Sequence, residues 1–146
     1  MLEKLNLLGA ITASAIYLTS ILVFLFRLLG NPEAGHRIGY LQFLLAIPLL
    51  YLLWTAPQFE RPALYYLQIG LMLLFLLVEL LLDYILKLEF RQVRWMVISY
   101  VVLFFAGTGG MLGVAANAGP LWTGIDAFLF LVMAALAFVQ RSVTGL

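Results

Sequence analysis

The chain contains no cysteine and a single histidine, His36. The first absence excludes disulfides, thiol nucleophiles and thiolate metal sites. The second excludes a multi-histidine zinc or haem centre built by one chain. Charge is also scarce. Only 10% of the 146 residues are charged, against about 25% in an ordinary soluble domain. With a net charge of +1, no bulk field draws the chain to nucleic acid or acidic substrates. There is no internal repeat, no low-complexity tail and no period-two alternation, so a solenoid, a disordered tail and a membrane β-barrel are not expected.

What is present is apolar: 65% of the residues are hydrophobic. A soluble domain of this length exposes too much of its surface to hide that share, so lipid is expected to cover it. Five runs approach the about 20 helical residues that cross about 30 Å of hydrocarbon. They are residues 5–29, 38–54, 64–86, 95–116 and 121–140. The first run holds the small-residue pattern Ala13-Ser14-Ala15, where a leader could be cleaved. It continues to Leu29, however, and is expected to be a retained helix.

Turn chemistry marks three of the breaks: Gly30-Asn31-Pro32, then Ala56-Pro57 with Arg61-Pro62, then Asn117-Ala118-Gly119-Pro120. Residues 87–94 are set apart by charge alone. Short connections make neighbouring helices antiparallel. The reading is all-α: residues 1–146 as one polytopic domain, a compact bundle of five transmembrane helices. Pro48 is expected to kink the second helix. Thr123 and Asp126 fit a capping box opening the fifth.

All eight Lys and Arg residues fall in short loops or at helix ends, where their count sets orientation. Lys4 and Arg61 lie on one side. Arg27, Arg37, Lys87, Arg91, Arg94 and Arg141 lie on the other, which is therefore expected to be cytoplasmic. The amino end is then outside and the carboxyl end inside, in a multi-pass protein of the cell membrane. Trp54, Tyr65, Tyr66 and Trp122 are expected in an outer aromatic belt, with Tyr40, Tyr84 and Trp95 in an inner one.

Against this background one stretch stands out, VELLLDYILK from Val78 to Lys87. Glu79 and Asp83 sit inside an otherwise apolar run. At a spacing of four, Glu79, Asp83 and Lys87 share a helix face, which Gln68, Met72 and Phe75 roughly extend. By rise, Asp83 lies about 6 Å and Glu79 about 12 Å above Lys87, placing Glu79 near the midplane. An acid facing lipid there costs about 2.5 kcal/mol or more, so the stripe is expected to face other helices. Either it is a structural ladder, with Lys87 paired to Asp83 and Glu79 bonded to a neighbour such as Gln42, or it is a proton or cation site. His36, Arg37, Arg27 and Lys87 would stand at the cytoplasmic mouth of such a site, His36 being able to pass protons near neutral pH.

The second anomaly is the run Ala106-Gly107-Thr108-Gly109-Gly110-Met111-Leu112-Gly113. The pairs Ala106/Gly110 and Gly109/Gly113 are small residues four apart, a spacing that lets helices approach closely. Alternatively the glycines loosen the helix, and Gly107, Thr108 and Gly110 offer backbone and hydroxyl oxygens beside Glu79.

The leading expectation is a proton- or cation-coupled transporter or ion-binding protein, with Glu79 and Asp83 as the coupling acids. The alternative is a non-catalytic scaffold or accessory subunit that assembles through the glycine-rich face. An intramembrane enzyme on a lipidic substrate ranks third, because neither a nucleophile nor a metal cluster is evident. No metal or cofactor is expected. The expected partners are the lipid bilayer, a small ion or solute and a second copy of the chain, not nucleic acid.

Overall fold

The computed structural model describes residues 2–85 and 94–144, and the side chains of Pro32, Asp83 and Thr144 lie outside that description. Every regular element among the described residues is helical: α1 (Leu2–Leu28), α2 (Pro32–Leu44), α3 (Ala46–Thr55), α4 (Ala63–Glu79), α5 (Arg94–Ala116) and α6 (Pro120–Thr144). A 3-10 turn, Ala56–Phe59, follows α3, and a π-helical turn, Leu80–Ile85, continues α4. Among the described residues five segments are long and apolar enough to cross a membrane: Leu2–Leu28, Glu33–Phe59, Ala63–Leu82, Arg94–Ala116 and Pro120–Val143. Each contains or overlaps one of the five runs read from the sequence.

The ends of these helices follow their local chemistry. Gly30 takes a φ of 79° and lets α1 stop. Asn31 then caps α2, its side-chain oxygen accepting from the Ala34 N–H at 3.3 Å. Pro48 has no N–H to offer Leu44, and the helix breaks one residue later, at Leu45, between α2 and α3. The kink expected at Pro48 is thus a change of helix just before it. Glu60, at φ 50°, closes the 3-10 turn, and Gly119, at φ 120°, releases α5 into α6.

The capping box read at Thr123–Asp126 is not formed. Helix α6 begins earlier, at Pro120, whose missing N–H costs nothing at a helix start. Thr123 donates instead to the Gly119 carbonyl at 2.9 Å, and Asp126 falls in the second turn, fully buried.

Helix α1 is the hub of the bundle, packed on α2, α3, α5 and α6, while α4 lies against α5 and α3. The shared core includes Ile16, Tyr17, Leu49, Leu52, Ile69, Met72, Phe75, Met111 and Met133. Met72 and Phe75 belong to the stripe expected to face other helices, and both are buried. The outside is apolar as well: Ile47, Leu121, Phe128, Leu131 and Phe138 are each about two-thirds exposed or more. Such an apolar surface is compatible with a hydrocarbon solvent. Trp54 and Trp95 are well exposed. Tyr65 is not part of an exposed belt. It is buried beneath Arg61, whose guanidinium lies 4.5 Å from the ring centre.

Candidate functional site

Five of the six helices converge on a partly enclosed cavity of about 130 Å³ near the end of the bundle where Arg27 and Arg141 lie. Glu79 opens into it from the last turn of α4. Tyr100 on α5 donates to Glu79 Oε1 at 3.1 Å. Across the cavity stand Ser20 on α1, Gln42 on α2 and Gln140 on α6, with Arg27 and Arg141 at the rim. The remaining wall is largely aromatic, including Phe24, Phe75, Phe104, Phe105 and Phe138. Phe24 and Phe75 both meet the Phe104 ring edge to face, which holds the apolar wall in shape. The result is a small apolar pocket with a carboxylate, two amides and two guanidinium groups at one end.

The expected partnership of Gln42 with Glu79 takes a different form. The Gln42 amide nitrogen donates to Ser20 Oγ at 2.6 Å and to the Ile16 carbonyl at 3.3 Å. It meets Glu79 only as a second wall of the same cavity. Gln140, which sequence reasoning passed over, is 2% exposed and shares that wall. An amide buried late in an apolar helix was the signal for it.

Glu79 is also where α4 changes pitch, because the π turn starts at Leu80. Turns of this kind re-aim side chains and are frequent at functional sites. The single face drawn for Glu79, Asp83 and Lys87 assumed an uninterrupted α-helix, whereas residues 80–85 form a π turn. The Asp83 side chain and Lys87 lie outside the described residues.

Tyr84, in the same π turn, reaches α2. Its ring stacks on His36 at 3.9 Å between centres, and its hydroxyl donates to the His36 carbonyl at 2.6 Å. Tyr40 and Phe43 meet the same ring edge-on. A Cβ on Gly39 would collide with the Tyr84 hydroxyl, so a larger residue there would have to displace the Tyr84 side chain. His36 therefore belongs to an aromatic clasp between α2 and the end of α4. Arg37 is exposed on the same helix.

The glycines of α5 do not loosen it, and the helix is continuous from Arg94 to Ala116. Thr108 Oγ donates back to the Phe104 carbonyl at 2.7 Å, as hydroxyls in apolar helices do. Its own carbonyl accepts from the Tyr17 hydroxyl. Close packing against α4 explains Gly107, Gly110 and Gly113: added Cβ atoms would lie 3.1 Å from Met72 Cα, 3.2 Å from Gln68 Cα, and in collision with the Gln68 amide. The working period is three, not the expected four. Ala106 is exposed, and Gly109 has nothing within 4 Å of its added Cβ. Gly109 is therefore not a packing residue between the described helices.

Asp126 was expected to be a cap. It lies in the bundle interior, where Ser14 Oγ on α1 donates to Oδ1 at 2.5 Å. Thus a second carboxylate besides Glu79 is enclosed by the helices. Among the described residues no group of three His, Asp or Glu side chains is placed to hold a metal ion.

Comparison of the chain with protein-family models, with curated proteins and with solved structures finds no match.

Proposed function

We propose that this chain is a multi-pass protein of the cell membrane, amino end outside and carboxyl end in the cytoplasm, that binds and releases a proton at Glu79 and couples that event to a small solute in the adjoining cavity. The observation that carries the reading is the cavity itself. Glu79 borders an open volume together with Gln42, Gln140, Arg27 and Arg141, rather than pointing at lipid or into solid packing. A carboxyl group in an apolar setting exchanges between neutral and charged forms at a free-energy difference its neighbours set. The Tyr100 hydroxyl and the rim arginines supply such neighbours.

Of the two cations first considered, the proton has better support than a metal ion. Among the described residues one carboxylate lines the cavity beside two guanidinium groups, which makes a poor cation cage, whereas protonation needs only one lone pair. The largely aromatic wall suits a solute with an apolar part.

The scaffold reading has less support, because Gly107, Gly110 and Gly113 are used against α4 within the chain. The enzyme reading has less support too, because among the described residues the Ser20 hydroxyl at the cavity is held by the Gln42 amide rather than by a base. A second copy of the chain remains an expectation from the small number of helices.

The test is a pH jump on reconstituted protein adsorbed to a solid-supported membrane. Wild type is expected to give a charge displacement as Glu79 takes up or loses its proton, sustained if the protein also transports. Glu79→Gln, folded by its helical circular dichroism, is expected to lose the signal. A silent wild type, or an unchanged variant, overturns the proposal.

A further inference from the structure

Asp126 is 0% exposed. Its Oδ1 accepts from Ser14, while its Oδ2 is buried with no hydrogen-bond partner among the described residues. A carboxylate left in that state is costly if ionised and wastes a donor if neutral. Even buried ion pairs are often replaced by well-packed apolar residues without loss of stability, so packing alone gives little reason for an acid here. Helix α6 packs on α1 and α5. The titratable group that interacts with Asp126 among the described residues is Tyr17 of α1, whose hydroxyl crosses to the Thr108 carbonyl of α5.

These side chains are aligned. Ser14, Tyr17 and Ser20 follow one another at a spacing of three along α1 and so share a face. They cover about 9 Å of rise. Ser14 touches Asp126, Tyr17 bridges to α5, and Ser20 accepts from Gln42 in the wall of the Glu79 cavity. Counted from the helix starts at Pro120 and Ala63, Asp126 lies about 9 Å and Glu79 about 24 Å from the same end of the bundle. Hydroxyls on one face of the hub helix thus lie along the bundle axis between buried Asp126 and the cavity that Glu79 lines.

We infer that Asp126 is a second proton-binding site, exchanging protons through the Ser14–Tyr17–Ser20 stripe with the cavity of Glu79. The step is proton uptake at Oδ2 and release of the same proton, with no bond to carbon made or broken. The inference extends the Glu79 reading into a two-acid path but is tested separately from it.

The experiment is attenuated-total-reflection infrared spectroscopy of the full chain in lipid, in the carboxylic C=O region. A band assigned to Asp126 is expected to vanish in Asp126→Asn, to persist in Glu79→Gln, to change with pH, and to shift on transfer to D₂O. Tyr17→Phe is expected to slow the D₂O shift at least several-fold. Should Asp126→Asn fail to fold, Ser14→Ala serves instead, since losing the donor to Oδ1 must move the same band. A band that neither titrates nor exchanges marks a sealed structural acid and overturns the inference. So does the absence of any band that responds to Asp126→Asn or Ser14→Ala. Persistence of the Asp126 behaviour in Glu79→Gln would uphold this site even where the charge displacement assigned to Glu79 fails to appear.

Discussion

Gly39 is the residue at which a single Cβ has the clearest consequence. It lies under the Tyr84 hydroxyl, which bonds the His36 carbonyl. Gly39→Val is expected to expel Tyr84 from its stack on His36 and to cost about 1–3 kcal/mol, the usual range for forced overpacking. Gly70, with open space around its would-be Cβ, is the control. Gly70→Ala is expected to be neutral or to stabilise by up to about 1 kcal/mol through helix propensity. Thermal unfolding in detergent, followed by circular dichroism, reads both. Equal effects at the two glycines would refute the clasp. Neither glycine could be graded from sequence, since only the arrival of Tyr84 from a distant helix distinguishes them. Glu79 was legible, because an acid in an apolar run is conspicuous wherever the run folds. Asp126 was not, because its place three residues after Thr123, just past Gly119-Pro120, resembles an ordinary helix start.

Among the helices, the contact of α5 with α4 is set by where the glycines face. Gly107→Leu is expected to drive α4 away, since the first atoms met are backbone atoms of Leu71 and Met72 and cannot rotate aside. A loss of about 1–3 kcal/mol or failure to fold follows. Gly109→Leu is expected to leave stability within about 1 kcal/mol of wild type, because that face is open. The same unfolding experiment separates the two. The second span offers another case. Pro48→Ala restores a backbone donor and removes the ring clash that ends α2 at Leu44. Spin labels at the exposed Glu33 and Gln58 are expected to move apart as α2 and α3 merge, measured by pulsed dipolar spectroscopy. An unchanged separation would show that packing, not Pro48, holds the break. Pro48 was readable as a kink because its chemistry is local. The glycine period was not, because a run this rich in small residues satisfies several spacings at once and only the neighbour selects among them.

For the whole molecule, the lack of cysteine is an experimental advantage. Glu60 and Glu33 are exposed at opposite ends of the second span. With single replacements Glu60→Cys and Glu33→Cys, a membrane-impermeant maleimide applied to intact cells is expected to label position 60 and spare position 33. The opposite pattern would invert the proposed orientation. Arg27 and Arg141, assigned to one side by the charge count, do border the same cavity. Arg61, assigned to the other, donates to Asn6 Oδ1 near the start of α1 at 2.6 Å. Among the described residues, Arg27 and Arg141 therefore sit at one end of the bundle and Arg61 at the other.

Hydropathy and turn chemistry are properties of short stretches, so the sequence by itself determined the number of long apolar helices among the described residues and their approximate limits. Helix packing decided the rest. It placed Asp126 inside and Gly109 outside, put Gln140 in the cavity wall, gave Gln42 to Ser20, and turned His36 toward Tyr84. In a chain apolar on nearly every face, periodicity does not mark which side of a helix is covered. Burial is then settled only when the surfaces of neighbouring helices meet.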